Sequence, residues 1–190
     1  MKYILIANNN NIDEEIDRLE IENNDEIILF NFMKPFYKYE KIKNHKKNIT
    51  VFSRKRSNRT TPLHEVYAGM NEIKENYDYI KTIIFHQHPD YYKEDIREAC
   101  INSLKEFNFL NSNKIKFINA KNFKKLIGFP NKGLSSGLIA YIYYKINKSK
   151  DDKILLVGFT HSIAKKYHDP EFEKYFFENE INNKNCYKLI

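Results

Sequence analysis

Short runs of apolar residues recur along the chain, each closed by polar residues, and they predict buried strands. Such runs, roughly four to eight residues long and bounded by turn residues, are typical of strands with both faces covered. The runs are residues 3–7, 26–31, 48–53, 81–85, 114–118 and 153–159.

Between these runs, apolar side chains recur at the spacing of amphipathic helices. The stretch 90–107, for example, places Ile96, Cys100, Leu104 and Phe107 on one helical face. Helices are predicted over residues 13–20, 62–77, 90–107, 134–146 and 171–182, and a mixture of loop and helix over 35–45.

Strands that alternate with helices indicate βαβ units and a mainly parallel sheet. The chain has 190 residues, which suits one domain, and it shows neither a solenoid repeat nor a Pro/Gly/Ser-rich linker. We therefore predict one α/β domain over residues 1–190, with a Rossmann-like, mainly parallel sheet flanked by helices.

Polar residues close several of the predicted strands, and ligands of parallel sheets bind outside the carboxyl ends of the strands. We expect several of these strand ends to share one rim. They are Asn8–Asn11, Asn31, Ser53–Arg54, His86–His88 and Thr160–His161.

The composition, 42% hydrophobic and 30% charged, is that of a globular protein. No stretch approaches the roughly 20 apolar residues of a membrane span, and the charged, Asn-rich start does not resemble a signal peptide. We therefore expect a cytoplasmic protein. Cys100 and Cys186 have neither metal-ligand spacing nor a disulfide framework, so reduced, structural thiols are expected.

The net charge of +7 would attract nucleic acid, anionic lipid headgroups or anionic small substrates. The sequence has no zinc-finger spacing and no aromatic RNA-binding signature, so the charge alone selects none of these partners. The basic run from Arg54 to Arg59 is interpreted either as a solvated loop or as a contact with an anion or a membrane.

The loop Asn8–Asn11 follows the first strand but lacks both the GxGxxG fingerprint and the Walker lysine motif. Asn adopts left-handed and Asx-turn geometries and offers amide donors and acceptors. The loop is therefore either a site for a base or ribose, or an ordinary polar turn.

Ser135-Ser136-Gly137 opens the most apolar helix. Free N–H groups and the helix dipole make such a start suitable for a phosphate, and Gly137 would let the ligand approach closely. The same residue types also cap helices for stability alone.

His168 and Glu173 are a candidate base and supporting carboxylate, since a neutral histidine accepts a hydroxyl proton near neutral pH. His168 also fits an exposed loop. His161, seven positions earlier, would share a helical face with it, and the spacing does not decide which of the two is the base.

His86-Gln87-His88 with Asp90 places two imidazoles at a strand end. No third ligand stands at a convincing spacing for zinc, so we predict no metal site. We prefer to interpret these residues either as the lining of the acceptor side of a cleft or as a solvated strand end.

Together these motifs resemble those of the sialyltransferases, both the bacterial lipooligosaccharide type (family 42) and the eukaryotic type (family 29). The first strand with Asn8 and Asn9 is similar to the family's strand ending in Gly-Asn-Gly-Pro-Ser. Asp25 to Asn31 resembles the next strand, whose closing Asn holds the cytidine nucleotide.

The later motifs extend the resemblance over most of the chain. Ser135-Ser136-Gly137 matches the Ser/Thr-Gly motif, and residues 153–159 match the strand after it. His168 and Glu173 match the last short motif of the eukaryotic type, and His161 resembles the histidine of the third motif.

The resemblance implies an inverting, metal-independent glycosyltransferase that moves a sugar, most often sialic acid, from a CMP-sugar donor, without a further cofactor. The implied acceptor is a glycan or glycolipid of cell-surface lipooligosaccharide or capsule. Asn9 and Asn31 would hold the nucleotide, and Ser135, Ser136 and Gly137 the phosphate and ribose. His168 would be the base, with Glu173 supporting it and His161 nearby.

Two alternatives remain open at the level of sequence. The first is a non-catalytic α/β module that binds a nucleotide or an anionic glycan. The second, resting on charge alone, is a nucleic-acid-binding protein, and nucleic acid is not our expected partner. If the chain is the enzyme, we expect it to make peripheral contact with an anionic inner membrane. Dimerisation is one way for so small a domain to complete its site.

Overall fold

A parallel sheet of seven strands runs through the molecule. The computed structural model describes residues 1–9, 11–45, 48–54, 67–86, 98, 101–102, 104–106, 108, 112–128, 133–160 and 169–189. The strands are β1 (Lys2–Ile6), β2 (Glu26–Phe30), β3 (Ile49–Ser53), β4 (Ile80–Phe85), β5 (Ile115–Phe117), β6 (Lys153–Val157) and β7 (Tyr187–Lys188). Their order across the sheet is β5-β4-β3-β2-β1-β6-β7.

Helices connect the strands. Those in the described residues are α1 (Asp13–Arg18), α2 (Lys34–Lys38), α3 (Glu40–Lys43), α4 (Met70–Glu75), α5 (Ala120–Leu126), α6 (Ser136–Asn147) and α7 (Pro170–Asn182), with a 3₁₀ turn at Tyr77–Tyr79. Residues 98, 101–102 and 104–106 are also helical.

Two apolar layers cover the two faces of the sheet. On one face, Ile4, Leu29 and Val51 of the central strands pack with side chains of α1 to α4. On the other face, Leu5 and Ile28 pack with the apolar side of α6 and with α7. Strands β2 and β3 are buried along their whole length, as expected of strands covered by helices on both faces.

The predicted α/β architecture is confirmed, and every strand pairing in the described residues is parallel. The predicted strands lie within about a residue of their positions, except that the last ends at Val157 because Gly158 turns with a φ of +73°. Strand β7 and helix α5 were not predicted. The first is two residues long and the second buries no residue, so neither carries a clear periodic pattern.

In the described part of the helix predicted over 62–77, residues 67–69 are not helical and the helix begins at Met70. Ala68 donates its amide to the carbonyl of Arg54 (2.8 Å), which keeps this part of the chain extended. Gly69 then turns with a φ of +78°. Leu63 and Val66, which supported the longer helix, lie outside the described residues.

Candidate functional site

The strand order reverses at β1, which lies between the two parts of the sheet. Strands β2 to β5 extend the sheet on one side of β1, and β6 and β7 extend it on the other. The helices that follow β1 and β6 leave for opposite faces, since α1 packs in one apolar layer and α7 in the other. In open α/β sheets, such an arrangement leaves a crevice at the carboxyl ends of the two strands, and ligands bind there.

Asn8 and Asn9 follow β1 and contact the ends of both neighbouring strands. Asn8 donates from Nδ2 to the carbonyl of Phe30 at the end of β2 (2.7 Å). Asn9 donates from Nδ2 to Oγ1 of Thr160 beyond β6 (3.3 Å) and accepts the amide of Asn11 on Oδ1 (3.2 Å). This last bond is the Asx turn predicted for the loop.

Asn31 has the left-handed backbone that the sequence suggested for the Asn-rich loop, with a φ of 49°. Asn tolerates this conformation better than most residues. Its Oδ1 accepts the amide of Arg54 after β3 (3.1 Å). A Cβ at Gly69 would stand 2.1 Å from the Asn31 carbonyl oxygen, so the chain passes this point only with glycine there.

Ser135 caps α6 and is held by a buried carboxylate. Its Oγ accepts the amide of Leu138 (3.1 Å) and donates to Oε2 of Glu173 (2.6 Å), while its own amide donates to Oε1 of Glu173 (2.9 Å). Glu173 lies in the first turn of α7 and is 1% exposed. A carboxylate of the protein therefore already interacts with the start of α6, where a phosphate was predicted.

Ser136 and Gly137 form the first turn of α6 at the same edge of the sheet, and Ser136 is buried. A Cβ at position 137 would stand 2.7 Å from Cε1 of Phe159. The missing side chain thus makes room for the Phe159 ring. The close approach that we expected of a ligand at Gly137 is made there by this ring.

Gly158 connects the two sides of the crevice. Its amide donates to Oε2 of Glu15 at the start of α1 (2.6 Å). A Cβ at Gly158 would stand 2.5 Å from Cγ2 of Ile12. Helix α1 and the end of β6 are therefore in direct contact.

His86 follows β4 and is 6% exposed. Its ring meets that of Phe52 edge-on, with 6.1 Å between the ring centroids. Burial, with a smaller contribution from the charge of Arg54, lowers the pKa of His86 from 6.5 to about 3. The imidazole is therefore neutral at physiological pH.

Among the described residues, two buried side-chain polar atoms have no hydrogen-bond partner, Oδ1 of Asn8 and Nε2 of His86. Both belong to residues that follow strands at the carboxyl edge. Asn8 was not singled out as a nucleotide ligand, and burial of one of its amide atoms leaves no signal in the sequence. Its position in the loop after the first strand was the available hint.

The predicted base lies outside the described residues, as does the second histidine. The contact of Glu173 with His168 thus stays a prediction, as does the choice between His161 and His168. Gln87, His88 and Asp90, which accompany His86 in the sequence, are also outside the described part. Within that part no cluster of three or more His, Cys, Asp or Glu side chains is placed to hold a metal ion.

Two hollows lie away from the predicted site residues. A groove of about 740 Å³ runs between α2 and α4, with Tyr37 and Glu72 among its lining residues. A cavity of about 200 Å³ surrounds Glu26, which accepts hydrogen bonds from Thr50 (2.7 Å), Tyr144 and Lys81 (2.9 Å). Because the carboxylate of Glu26 is satisfied inside the protein, this second cavity fits a structural role.

Comparison with known proteins assigns no family. No family model, curated protein or solved structure matches the chain. In the part of the chain that the structure describes, no helix has the length and apolar character to cross a bilayer.

Proposed function

We propose that the protein is a sialyltransferase-like glycosyltransferase that transfers a sugar, most often sialic acid, from a CMP-sugar to a glycan acceptor. The proposed acceptor belongs to lipooligosaccharide or capsule. The reaction is inverting and metal-independent, and it takes place in the cytoplasm with peripheral contact between the basic protein and an anionic membrane. The net charge of +7 favours both the anionic donor and such a surface.

One observation carries this proposal: a continuous series of contacts along the carboxyl edge, across the crevice. Asn9 reaches Thr160 after β6, Asn8 reaches the end of β2, and Asn31 reaches Arg54 after β3. Phe159, between Gly158 and Thr160, packs against Gly137 at the start of α6. Asn9, Asn31 and Gly137 take part in these contacts at the carboxyl edge, and this supports the proposal because α/β sheets bind nucleotides at that edge.

Within this proposal, Asn9 and Asn31 contact the cytidine nucleotide. The buried Oδ1 of Asn8, which has no partner among the described residues, is an acceptor that an N–H or O–H of the nucleotide would satisfy. The amides of Ser136 and Gly137 lie in the first turn of α6, where a helix leaves N–H groups without intrahelical partners. They are the proposed donors to the phosphate.

In the transfer step, the acceptor hydroxyl oxygen forms a bond to the anomeric carbon on the face opposite the phosphate. The bond between that carbon and the phosphate oxygen breaks, and its electron pair leaves with CMP. The hydroxyl proton passes to His168 or His161. A donor placed on the developing phosphate charge contributes on the order of 3 kcal/mol, and a positioned base roughly 10²–10⁴-fold in rate.

A specific observation supports a second candidate, a non-catalytic module that binds a nucleotide or an anionic glycan. Glu173 accepts both the amide and the hydroxyl of Ser135. Its negative charge beside the start of α6 would oppose a phosphate there. In this alternative, the nucleotide binds through the Asn residues and no transfer follows.

Thermal unfolding with cytidine monophosphate, uridine diphosphate and adenosine triphosphate tests nucleotide recognition. A ligand at 100 times its Kd adds about 2.7 kcal/mol to the free energy of unfolding. We expect this rise only with cytidine monophosphate, and we expect Asn31→Gly to abolish it. Glycine removes the amide but keeps the positive φ of position 31 without strain.

Asn108→Gly is the matched control, because Asn108 also has a positive φ (54°) and is exposed. It should leave the nucleotide response unchanged. Release of CMP from a CMP-sugar in the presence of acceptor glycans then separates the two candidates. A loss of turnover below about tenfold in His168→Ala would remove that residue as the base, and binding without any release of CMP would favour the non-catalytic module.

A further inference from the structure

His86 places an unsatisfied imidazole nitrogen inside the protein at the carboxyl end of β4. Its Nε2 is buried and has no hydrogen-bond partner among the described residues. Leaving a buried polar group unsatisfied lowers the stability of the fold. Such a group in a native fold calls for an explanation, and a ligand at that place is one.

The pairing of β3 with β4 places Arg54 beside His86. Ser53 pairs with Phe85 in the parallel register, and the amide of His86 donates to the carbonyl of Ser53 (3.1 Å). The next residues on the two strands, Arg54 and His86, therefore follow side by side. Paired residues of neighbouring strands project to the same face of a sheet.

The imidazole is restrained by its surroundings. The ring of Phe52 packs edge-on against it, and the carbonyl of His86 accepts the amide of Ala120 at the start of α5 (3.3 Å). Arg54 is exposed, and its backbone amide is bound by Oδ1 of Asn31. A buried ring and an exposed cation thus lie directly next to one of the proposed nucleotide contacts.

The chemistry of Arg54 and His86 favours an anionic ligand. Burial and, to a smaller extent, the charge of Arg54 keep the pKa of His86 far below its usual value. The ring is therefore a poor base, and a metal cation would be repelled by the same arginine. A neutral imidazole still carries one N–H, and an anion accepts both from it and from a guanidinium.

We propose that the guanidinium of Arg54 and the Nε2–H of His86 form an oxyanion subsite, next to Asn31, for a carboxylate or phosphate group of the ligand. The subsite rests on the proposed function, because the proposed donor, CMP-sialic acid, carries both a carboxylate and a phosphate group. Arg54 provides the attraction and His86 the directional hydrogen bond.

Nuclear magnetic resonance of the histidine ring nitrogens tests the subsite in the ¹⁵N-labelled chain of 190 residues. The chain contains six histidines, and the His86 signal is the one lost in His86→Phe. The protein is titrated with N-acetylneuraminate, inorganic phosphate, cytidine monophosphate and lactose at constant ionic strength. We expect a saturable shift of the His86 N–H signal with at least one of the three anions and none with neutral lactose.

The anion that saturates the signal identifies the source of the oxyanion, a sugar carboxylate or a phosphate. His45 serves as an internal control, since its Nε2 lies 2.7 Å from the carbonyl of Asp25 at the other end of the strands. Its signal should not move. A His86 signal unaffected by all three anions would overturn the proposal.

Arg54→Met should weaken the binding of that anion by about tenfold or more, as expected for loss of a charge-assisted bond. Arg18→Met removes the same charge from α1 and should change the affinity less than about twofold, because exposed charges beyond roughly 10 Å are screened. Equal losses in both variants would show a general charge effect and contradict the subsite.

The test is independent of the transferase reaction. An anion-dependent shift of His86 without any response to cytidine monophosphate in the thermal assay would keep the subsite and reject the proposed donor. A thermal response to cytidine monophosphate with an unchanged His86 signal would keep the donor and reject the subsite. His86→Phe should fold, because phenylalanine retains the edge-on contact with Phe52 and removes the unsatisfied nitrogen.

Discussion

At the scale of single residues, asparagine has two different roles along the carboxyl edge of the sheet. Asn31 adopts a positive φ and binds the amide of Arg54, and Asn9 closes a turn with its side chain. Asn8 instead donates to the end of β2 through Nδ2, and its Oδ1 is buried with no partner in the described part of the chain. The same residue type therefore supplies backbone geometry at one position and binding capacity at another.

His86 should make the stability of the protein depend on pH in a defined direction. Its pKa is about 3 in the folded protein and 6.5 for the ordinary group, so the unfolded chain binds more protons between these values. The contribution of neutral His86 to the free energy of unfolding is complete above pH 6.5, and it is lost as the pH falls towards 3. Between roughly pH 7.5 and pH 5, the free energy of unfolding should fall by about 2 kcal/mol more than in His86→Phe.

Urea unfolding of both proteins at several pH values measures this difference, because all other titrating groups are common to them. Parallel pH profiles for the two proteins would show that His86 keeps an ordinary pKa in the folded state. They would also remove the case for a neutral imidazole next to Arg54.

At the scale of elements, α6 and α7 are joined by two buried carboxylates of α7. Glu173 binds Ser135 at the start of α6, and Glu180 accepts from Tyr141 and from Lys145 (2.6 Å) further along α6. The seven-residue spacing puts both carboxylates on one face of α7. Because both helices run in the same direction, the two contacts align them at two levels.

Ser135→Ala should test the first of these contacts. The variant loses the N-cap of α6, which is worth about 1 kcal/mol, and deprives the buried Glu173 of one donor, which costs about 1–3 kcal/mol. We expect the free energy of unfolding to fall by about 2–3 kcal/mol in urea denaturation. Ser149→Ala, at an exposed serine, is the control and should change it by less than about 0.5 kcal/mol.

A loss in Ser135→Ala as small as that of the control would mean that Glu173 finds other donors when the serine hydroxyl is absent. In that case the contact would not align the two helices. The start of α6 would then remain open to the phosphate predicted there.

At the scale of the whole molecule, the strand order places the crevice between β1 and β6. These strands are separated by most of the chain, yet they pair over five residues. Gly158 and α1 contact each other at the carboxyl end of this pair. The shape of the crevice therefore depends on a contact between segments remote in sequence.

Gly158→Ala should disturb this contact strongly. The new Cβ would meet Cγ2 of Ile12 at 2.5 Å in a backbone with a φ of +73°. Gly128→Ala is the matched control, since Gly128 has a φ of +64° but open space around it. We expect the control to lose about 1 kcal/mol of unfolding free energy from backbone strain and Gly158→Ala about 1–3 kcal/mol more from overpacking.

Thermal and urea unfolding of the two variants measure the difference. The thermal response to cytidine monophosphate should also be lost in Gly158→Ala and kept in Gly128→Ala. Equal stabilities would show that Ile12 moves aside without cost, and the close packing of β6 against α1 would then not shape the crevice.

Much of the fold was predictable because the apolar pattern responds to burial. The runs at 26–31 and 48–53 are apolar because the strands there are covered on both faces, and burial of such side chains is the main favourable term in folding. The start of α4 was less predictable. It depends on the left-handed turn at Gly69 and on a backbone bond between Ala68 and Arg54, which residue types do not encode clearly.

The sequence by itself determined the alternation of strands and helices, the parallel sheet and the polar residues at the strand ends, because these follow from local patterns of burial and turn chemistry. Only the tertiary structure decided which strand ends meet. It placed Thr160 against Asn9, Glu173 against Ser135 and Arg54 beside His86. It also left Nε2 of His86 without a partner among the described residues, since whether a buried atom is satisfied depends on all neighbours in space, and these come from distant parts of the chain.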